Sequence, residues 1–198
     1  MVWDYNDRTP PLQPAAAKLR FVPPLVLGSS NIPHVVWGID AEICHEVPSM
    51  IWDSMEILVP KAYLQAAAER LTKSLPIFTQ IVFPLDQDQL LPHYSDDCIL
   101  LASAKKLRTT ANYIILIPDT VFHFDTTNPT SIMKPPSYFE LPLKYNEVGV
   151  PTFSSLLDAL LACRNETKTQ HFTGFEKGRW RMSGLKRRFL TEATTLVA

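Results

Sequence analysis

Short apolar runs separated by polar connections characterise most of the chain. Residues 34–37 form a short run of β-branched and apolar side chains that ends at Gly38, and residues 50–59 form a longer run that ends before Pro60. Runs of this composition and length favour β-strands, and the glycine and proline at their ends favour turns. The pattern therefore predicts two neighbouring strands, connected by a brief helix or turn over residues 39–45.

Two further segments have the pattern of amphipathic helices. Residues 61–74 are rich in strong helix formers, and residues 153–164 contain four leucines predicted to face inward. The remaining apolar runs predict two short strands, over residues 78–83 and 98–102, and a hairpin over residues 113–124 with its turn at Pro118 and Asp119. Together these elements predict a single α+β domain, with a mixed, twisted sheet of about five strands flanked by helices.

Proline and charge divide the chain into three parts. Residues 1–33 contain six of the 17 prolines and predict a proline-rich N-terminal arm with one short helical stretch that packs on the domain. Residues 34–164 form the predicted α+β domain. Residues 165–198 form a predicted basic C-terminal helical segment, which either attracts phosphates or exposes its charges to solvent.

Composition and charge restrict the classes of partner. A hydrophobic fraction of 46% in 198 residues excludes a disordered protein, and the formal net charge of −1 gives no general attraction to membranes or nucleic acid, although the basic C-terminal segment leaves nucleic acid open. The three cysteines are widely spaced and odd in number, which argues against a disulfide framework. With neither a signal peptide nor an apolar run of about 20 residues in the sequence, we expect a cytoplasmic or nuclear protein that is not secreted and has no membrane partner.

The candidate chemistry lies in residues 34–60, HVVWGIDAEICHEVPSMIWDSMEILVP. Gly38 ends the first predicted strand, and Ser54 and Glu56 are two residues apart on the second, so their side chains point to the same face. The arrangement resembles the minimal core of the polymerase-beta-like nucleotidyltransferase fold over roughly residues 34–75. The W-G-x-D-A turn and the L-V-P strand end are also similar to those of uncharacterised fungal proteins.

The resemblance implies a set of site residues and a cofactor. Asp53 and Glu56 would be the catalytic carboxylates that hold Mg²⁺, and a nucleoside triphosphate would bind if the protein is active. Gly38, Asp40 and Ser54 would line the path of the phosphates, since a glycine lets the backbone approach them closely. The basic C-terminal residues would then steer an anionic substrate toward the site.

Several residues depart from that pattern. Ser54 occupies the position of the first carboxylate, and a neutral hydroxyl is a weak ligand for Mg²⁺. Asp53 is three residues from Glu56, so only a β-bulge would bring the two acids to one face. A third carboxylate stays open among Asp97, Asp119 and Asp125.

These departures predict a nucleotidyltransferase-like protein with a degenerate metal site and little or no nucleotidyl transfer. Its ligand would be a nucleotide or another anion. The alternative is a non-catalytic module that binds a protein partner through the same cleft or through the basic C-terminal helix. A simpler interpretation of Asp40, Asp53 and Glu56 is that these acids cap turns and face solvent at a strand edge.

Overall fold

The structure is a computed structural model, and it describes residues 14–47, 53–82, 97–107 and 111–169, with side chains described as far as residue 163. The first 13 residues of the predicted N-terminal arm lie outside the described residues. So do residues 170–198, which include most of the predicted basic C-terminal segment.

A five-stranded mixed sheet forms the centre of the protein. Its strands are β1 (Val35–Trp37), β2 (Ser54–Val59), β3 (Phe78–Ile81), β4 (Ile99–Ser103) and β5 (Tyr113–Pro118). The spatial order is β1-β2-β5-β4-β3, with β2 and β5 parallel and the other neighbours antiparallel. The predicted α+β class with a five-stranded mixed sheet is therefore confirmed. A separate two-stranded ribbon pairs β6 (Ile132–Met133) with β7 (Val150–Pro151).

Helices cover both faces of the sheet. They are α1 (Pro14–Arg20), α2 (Val22–Gly28), α3 (Gly38–Cys44), α4 (Leu64–Ser74) and α5 (Phe153–Thr169). The predicted helix over residues 61–74 begins with a 3₁₀ turn at Lys61–Tyr63 and continues as α4. In the described part of the chain, no helix combines the length and the apolarity needed to cross a bilayer.

Two hydrophobic clusters, one on each face of the sheet, form the core. Successive side chains of a strand point to opposite faces, so neighbouring residues of β2 belong to different clusters. Met55, Ile57 and Val59 pack on one face with α1, α2 and α4. Leu58 packs on the other face, where Leu156 of α5 also lies. Removal of apolar side chains from water on both faces is the main favourable contribution to the stability of such a layered fold.

The N-terminal arm contributes a helix that the sequence pattern did not predict. Two prolines lie in the first turn of α2, Pro23 and Pro24, where the missing amide donors would have had no partner within the helix. Phe21 and Leu27 are 1% and 0% exposed. The described part of the arm therefore contributes directly to the hydrophobic core.

The predicted hairpin over residues 113–124 is wrong in its second half. After Pro118 the chain forms a 3₁₀ turn, Asp119–Phe122, and does not return as a strand. The rings of Phe122 and Phe124 pack instead against Trp37, with centroids 5.0 and 5.4 Å away. Contact with a large buried indole thus determines the path of this segment, which its apolar composition alone does not specify.

The inward face of α5 is also shifted from the prediction. Leu156 and Ala159 are buried, whereas Leu161, predicted to face inward, is 44% exposed. Leu156 and Ala159 are three positions apart and therefore share one face of the helix. Leu161 is five positions after Leu156, so its side chain points away from that face.

A buried ion pair connects the N-terminal helices to the sheet. The guanidinium of Arg20, in α1, contacts the carboxylate of Asp40, in α3, through two nitrogens; Nη2 donates to Oδ2 at 2.9 Å and Nε donates to Oδ1. Nη2 also donates to the carbonyl oxygen of Ser54 at 2.7 Å. The side chains are only 2% and 3% exposed. One arginine therefore links α1, α3 and the start of β2.

We predict that replacement of Arg20 by methionine lowers the free energy of unfolding by about 3–5 kcal/mol, because it leaves the Asp40 carboxylate buried without its counter-charge. Urea denaturation gives this value. The double variant Arg20→Met/Asp40→Leu should lose less than Arg20→Met alone. Lys18→Met, on the same helix, is the matched control and should change stability little. Equal losses for Arg20→Met and Lys18→Met would show that the pair does not hold the helices.

Candidate functional site

Gly38 and Glu56 lie against each other where β1 ends. Gly38 has a φ of +60°, and Trp37 pairs with Glu56 in the register between β1 and β2. A Cβ atom built on Gly38 would lie 2.8 Å from Glu56 Cδ and closer still to Oε2. The position therefore requires glycine both for its left-handed backbone and for the space that the glutamate occupies.

The second strand brings Ser54 and Glu56 to one face, as their spacing predicts. Both side chains are half-buried, and the register of β2 with β5 is continuous from Ser54 to Val59. The β5 residues opposite them are Tyr113 and Ile115, so β5 contributes no carboxylate at these positions. Glu56 is thus the only acid among the residues at this part of the register.

Asp53 lies just before β2 and joins a different set of contacts. Its Oδ1 accepts a hydrogen bond from Asn112 Nδ2 at 3.1 Å, and its carbonyl oxygen accepts from the amides of Asn112 and Tyr113. Asp53 lies outside the paired residues of β2, and its side chain contacts Asn112, whereas the residues that pair with Glu56 are Trp37 and Ile115. The described contacts place Asp53 as a polar connection between the first residues of β2 and β5.

Asp40 lies inside the protein, in contact with Arg20, and it is 3% exposed. Burial raises the pKa of its carboxyl above the ordinary value, and the positive charge and hydrogen bonds of Arg20 offset part of that effect. Both of its oxygens accept from the guanidinium. The residue predicted to line a phosphate path is therefore part of the buried ion pair, and a phosphate would have to displace Asp40 from Arg20.

The three nominated third carboxylates each have a local partner. Asp97 accepts from Lys61 Nζ at 2.7 Å, the buried Asp119 accepts from Thr126 Oγ1 at 2.8 Å, and Asp125 accepts from the amide and hydroxyl of Thr127. Asp119 directly follows Pro118, which pairs with Val59. Val59 is three positions after Glu56 in β2, so Asp119 lies beyond the part of the sheet that contains Glu56. Within the described ranges, no three His, Cys, Asp or Glu side chains are grouped so that they could hold a metal ion.

A cavity of about 500 Å³, broadly open to solvent, lies at the other end of β1. Its walls come from the segment after α2, from the turn that leads into β6, and from residues 146–149. Apolar side chains line part of it: Ile32, Pro33, Ile132, Met133 and Val148. Polar and charged side chains line the rest: Asn31, His34, Thr126, Thr127, Lys134, Asn146 and Glu147.

His34 is the most unusual group of that cavity. It is 6% exposed, and its Nδ1 donates to the carbonyl oxygen of Ile32 at 2.9 Å, which leaves Nε2 as the acceptor of the neutral ring. Nε2 is buried and has no hydrogen-bond partner among the described residues. An unsatisfied buried acceptor costs about 1–3 kcal/mol. Burial also lowers the pKa of this imidazole.

Sequence reasoning did not find Arg20 or the cavity. Arg20 and Asp40 are 20 positions apart, in separate helices, so no local spacing relates them. His34 precedes a predicted strand, but most of its neighbours in the cavity come from more than 90 positions further along the chain.

Comparison of the chain with protein-family models, with curated proteins and with solved structures finds no match. The interpretation of both sites therefore depends on the geometry described above.

We predict that Gly38→Ala lowers the free energy of unfolding by about 1–2 kcal/mol, since alanine is strained at a left-handed φ. Its Cβ also meets the Glu56 side chain, so the loss should be smaller in a Glu56→Ala background. A double-mutant cycle by urea denaturation measures this coupling, which we expect to be at least about 0.5 kcal/mol.

Gly149→Ala provides the control for that cycle. A Cβ on Gly149 would lie 2.8 Å from the backbone oxygen of His34, which truncation of Glu56 cannot relieve. We therefore expect no coupling between Gly149→Ala and Glu56→Ala. A cycle for Gly38 with equally little coupling would contradict the described contact.

A second prediction concerns the pH dependence of stability. Because burial lowers the pKa of His34 below the ordinary value of 6.5, the unfolded chain binds a proton more readily than the folded protein. Stability should be fully present above pH 6.5 and decrease as the pH falls below it, by up to about 1.4 kcal/mol per pH unit. His34→Asn retains a donor near Nδ1 and should show a smaller decrease in urea denaturation series.

The exposed His123 gives the matched control for this series. Its φ of 51° is left-handed, a conformation that asparagine accepts, so His123→Asn makes the same substitution at an exposed position without backbone strain. If the two variants change the pH dependence equally, burial of the His34 ring is not its source.

Proposed function

We propose that the protein is a nucleotidyltransferase-like protein with a degenerate metal site, which binds a Mg²⁺–nucleoside triphosphate weakly and transfers nucleotide slowly or not at all. The observation that carries this proposal is the contact between Gly38, with its left-handed backbone, and the carboxylate of Glu56 at the end of β1. A glycine-ended strand beside a carboxylate on the next strand is the feature that resembles the family.

The number of anionic ligands supports binding in preference to transfer. Two-metal transfer uses several carboxylates to hold ions on both sides of the phosphoryl group. Here Ser54 offers a neutral hydroxyl on the face of Glu56, Asp53 contacts Asn112, and Asp40 contacts Arg20. One carboxylate can hold one Mg²⁺ that keeps most of its water ligands.

Charge makes the proposed binding dependent on Mg²⁺. A phosphate beside Gly38 would lie close to the Glu56 carboxylate, and two like charges about 4 Å apart repel by about 4 kcal/mol at an effective dielectric constant of 20. A Mg²⁺ ion between them converts that repulsion into attraction. The triphosphate should therefore bind only together with the metal ion.

Titration calorimetry with MgCl₂ and each of ATP, GTP, CTP and UTP tests the proposal. We expect heat of binding only when the metal ion and a triphosphate are both present, and at least a tenfold loss of affinity, about 1.4 kcal/mol, in Glu56→Gln. Asp53→Asn should retain binding, because the Asp53 carboxylate contacts Asn112. Glu69→Gln, at an exposed position of α4, is the control.

The same samples should be assayed for release of pyrophosphate. Fast, metal-dependent release that Glu56→Gln abolishes would show an intact transferase and overturn the assignment of a degenerate site. No heat with any of the four triphosphates would overturn nucleotide binding, and would favour the alternative of a non-catalytic protein-interaction module.

A further inference from the structure

Strand β3 forms one edge of the five-stranded sheet. It pairs with β4 on one side, and no other segment of the described chain pairs with its outer side. The opposite edge of the sheet is different, because the amide of Val36 in β1 donates to the carbonyl oxygen of Gly149 at 2.9 Å. Among the described residues, the outer side of β3 is therefore an open edge with backbone groups available for pairing.

The register with β4 determines which backbone groups of β3 point outward. In an antiparallel pair, every second residue directs both its N–H and its C=O to the neighbouring strand. The amide of Ala104 donates to the carbonyl oxygen of Ile77 at 2.8 Å, so Thr79 and Ile81 also face β4 in this register. Gln80 lies between them and directs its N–H and its C=O to the outer side.

Two further groups flank Gln80 on the outer side. By the same alternation, the carbonyl oxygen of Phe78 and the amide of Val82, directly after β3, point outward. The amide of Phe78 is already bonded to the carbonyl oxygen of Leu75 at 2.9 Å. The edge therefore offers the amides of Gln80 and Val82 as donors, and the oxygens of Phe78 and Gln80 as acceptors.

This set of donors and acceptors is complementary to a second copy of itself. Two β3 strands that lie antiparallel about a two-fold axis at Gln80 bring each Gln80 amide to the partner's Gln80 oxygen. Each Val82 amide then meets the partner's Phe78 oxygen. All the outward groups named above are paired in this arrangement, and the bonded amide of Phe78 is not required. Such self-complementarity is what a two-fold interface between identical chains needs.

The side chains of this segment also favour pairing. Residues 75–85 contain no charged side chain, and β3 contains no proline, although charges and prolines are the usual protection of an edge strand. Gln80 is exposed, and the apolar Val82 is 89% exposed. In the two-fold arrangement Val82 lies opposite the partner's Phe78, so part of its apolar surface leaves water.

We propose that the protein forms a symmetric dimer in which β3 pairs antiparallel with β3 of a second copy and joins the two sheets into one. The contact adds a single short strand on each side, so the interface is small and the dimer dissociates on dilution. We expect a Kd on the order of 100 µM. Gly38 and Glu56 lie toward the other edge of the sheet, so the proposal does not depend on nucleotide binding.

Sedimentation velocity and amide hydrogen exchange of the full chain, each over a series of protein concentrations, test the proposal. The sedimenting mass should increase from monomer to dimer across the expected Kd. The amides of Gln80 and Val82 should exchange more slowly at high concentration, because only the dimer bonds them. The amides of Thr79 and Ile81, which face β4, should change much less.

Charged variants of Gln80 test the register, because the two Gln80 side chains lie directly opposite each other in the dimer. Gln80→Lys and Gln80→Glu should each weaken self-association about fivefold at low ionic strength, since like charges repel across the pair. An equal mixture of the two variants should recover dimers of mixed composition. Asn146→Lys and Asn146→Glu, at an exposed amide outside the sheet, are the matched controls and should self-associate like the wild type.

Gln80→Pro provides a second variant that does not depend on charge. Its position donates no hydrogen bond to β4, and proline is accepted in an edge strand where the N–H faces outward. The variant should therefore keep the far-ultraviolet circular dichroism of the wild type and sediment as a monomer at every concentration.

Three results would overturn the proposal. The first is a wild-type protein that stays monomeric, with Gln80 and Val82 amides that are slow at every concentration; residues 83–96 of the same chain would then be the candidate cover of the edge. The second is a dimer that the Gln80 variants leave unchanged, which would place the interface elsewhere. The third is a mixture of Gln80→Lys and Gln80→Glu that associates no better than either variant alone, which would exclude the register centred on Gln80.

Discussion

The buried pair of Arg20 and Asp40 is the interaction on which the rest of the structure depends. Two charges that are almost completely removed from water are tolerated only when each satisfies the other, and here the arginine also satisfies the backbone oxygen of Ser54. The geometry ties the N-terminal helices to the helix between β1 and β2. The pair therefore holds α3 in place, and with it the turn at Gly38, which is the first residue of α3.

Strand β1 connects the two sites. At one end its backbone turns left-handed at Gly38, beside the Glu56 carboxylate, and at the other end His34 lines the cavity. Both ends are fixed by neighbours, since β1 pairs with β2 along its length and the amide of Val36 binds the Gly149 oxygen. A strand that is paired in this way holds its side chains more accurately than a loop would.

The positions of β1, β2 and α4 could be predicted from the sequence because they depend on local pattern: apolar runs bounded by Gly38 and Pro60, and helix formers in α4. The path after Pro118 and the helix α2 could not, because they depend on packing against the core. The spacing of Ser54 and Glu56 likewise determines that they share a face. The surroundings of Asp40 could not be predicted, because its partner is in another helix and burial depends on tertiary packing. The cavity has the same origin, since residues far apart in the sequence line it together.

The parallel pairing of β2 with β5 has a consequence for folding kinetics. It joins the two halves of the sheet at its centre, and Asp53 and Asn112, where the pairing starts, are 59 positions apart in the chain. A contact of such sequence separation requires closure of a long loop before any stabilisation is gained. The antiparallel pairs β1–β2 and β3–β4 span shorter loops. Assembly of the central pair should therefore be the slow, rate-limiting event, during which the apolar edges of both halves are exposed to aggregation.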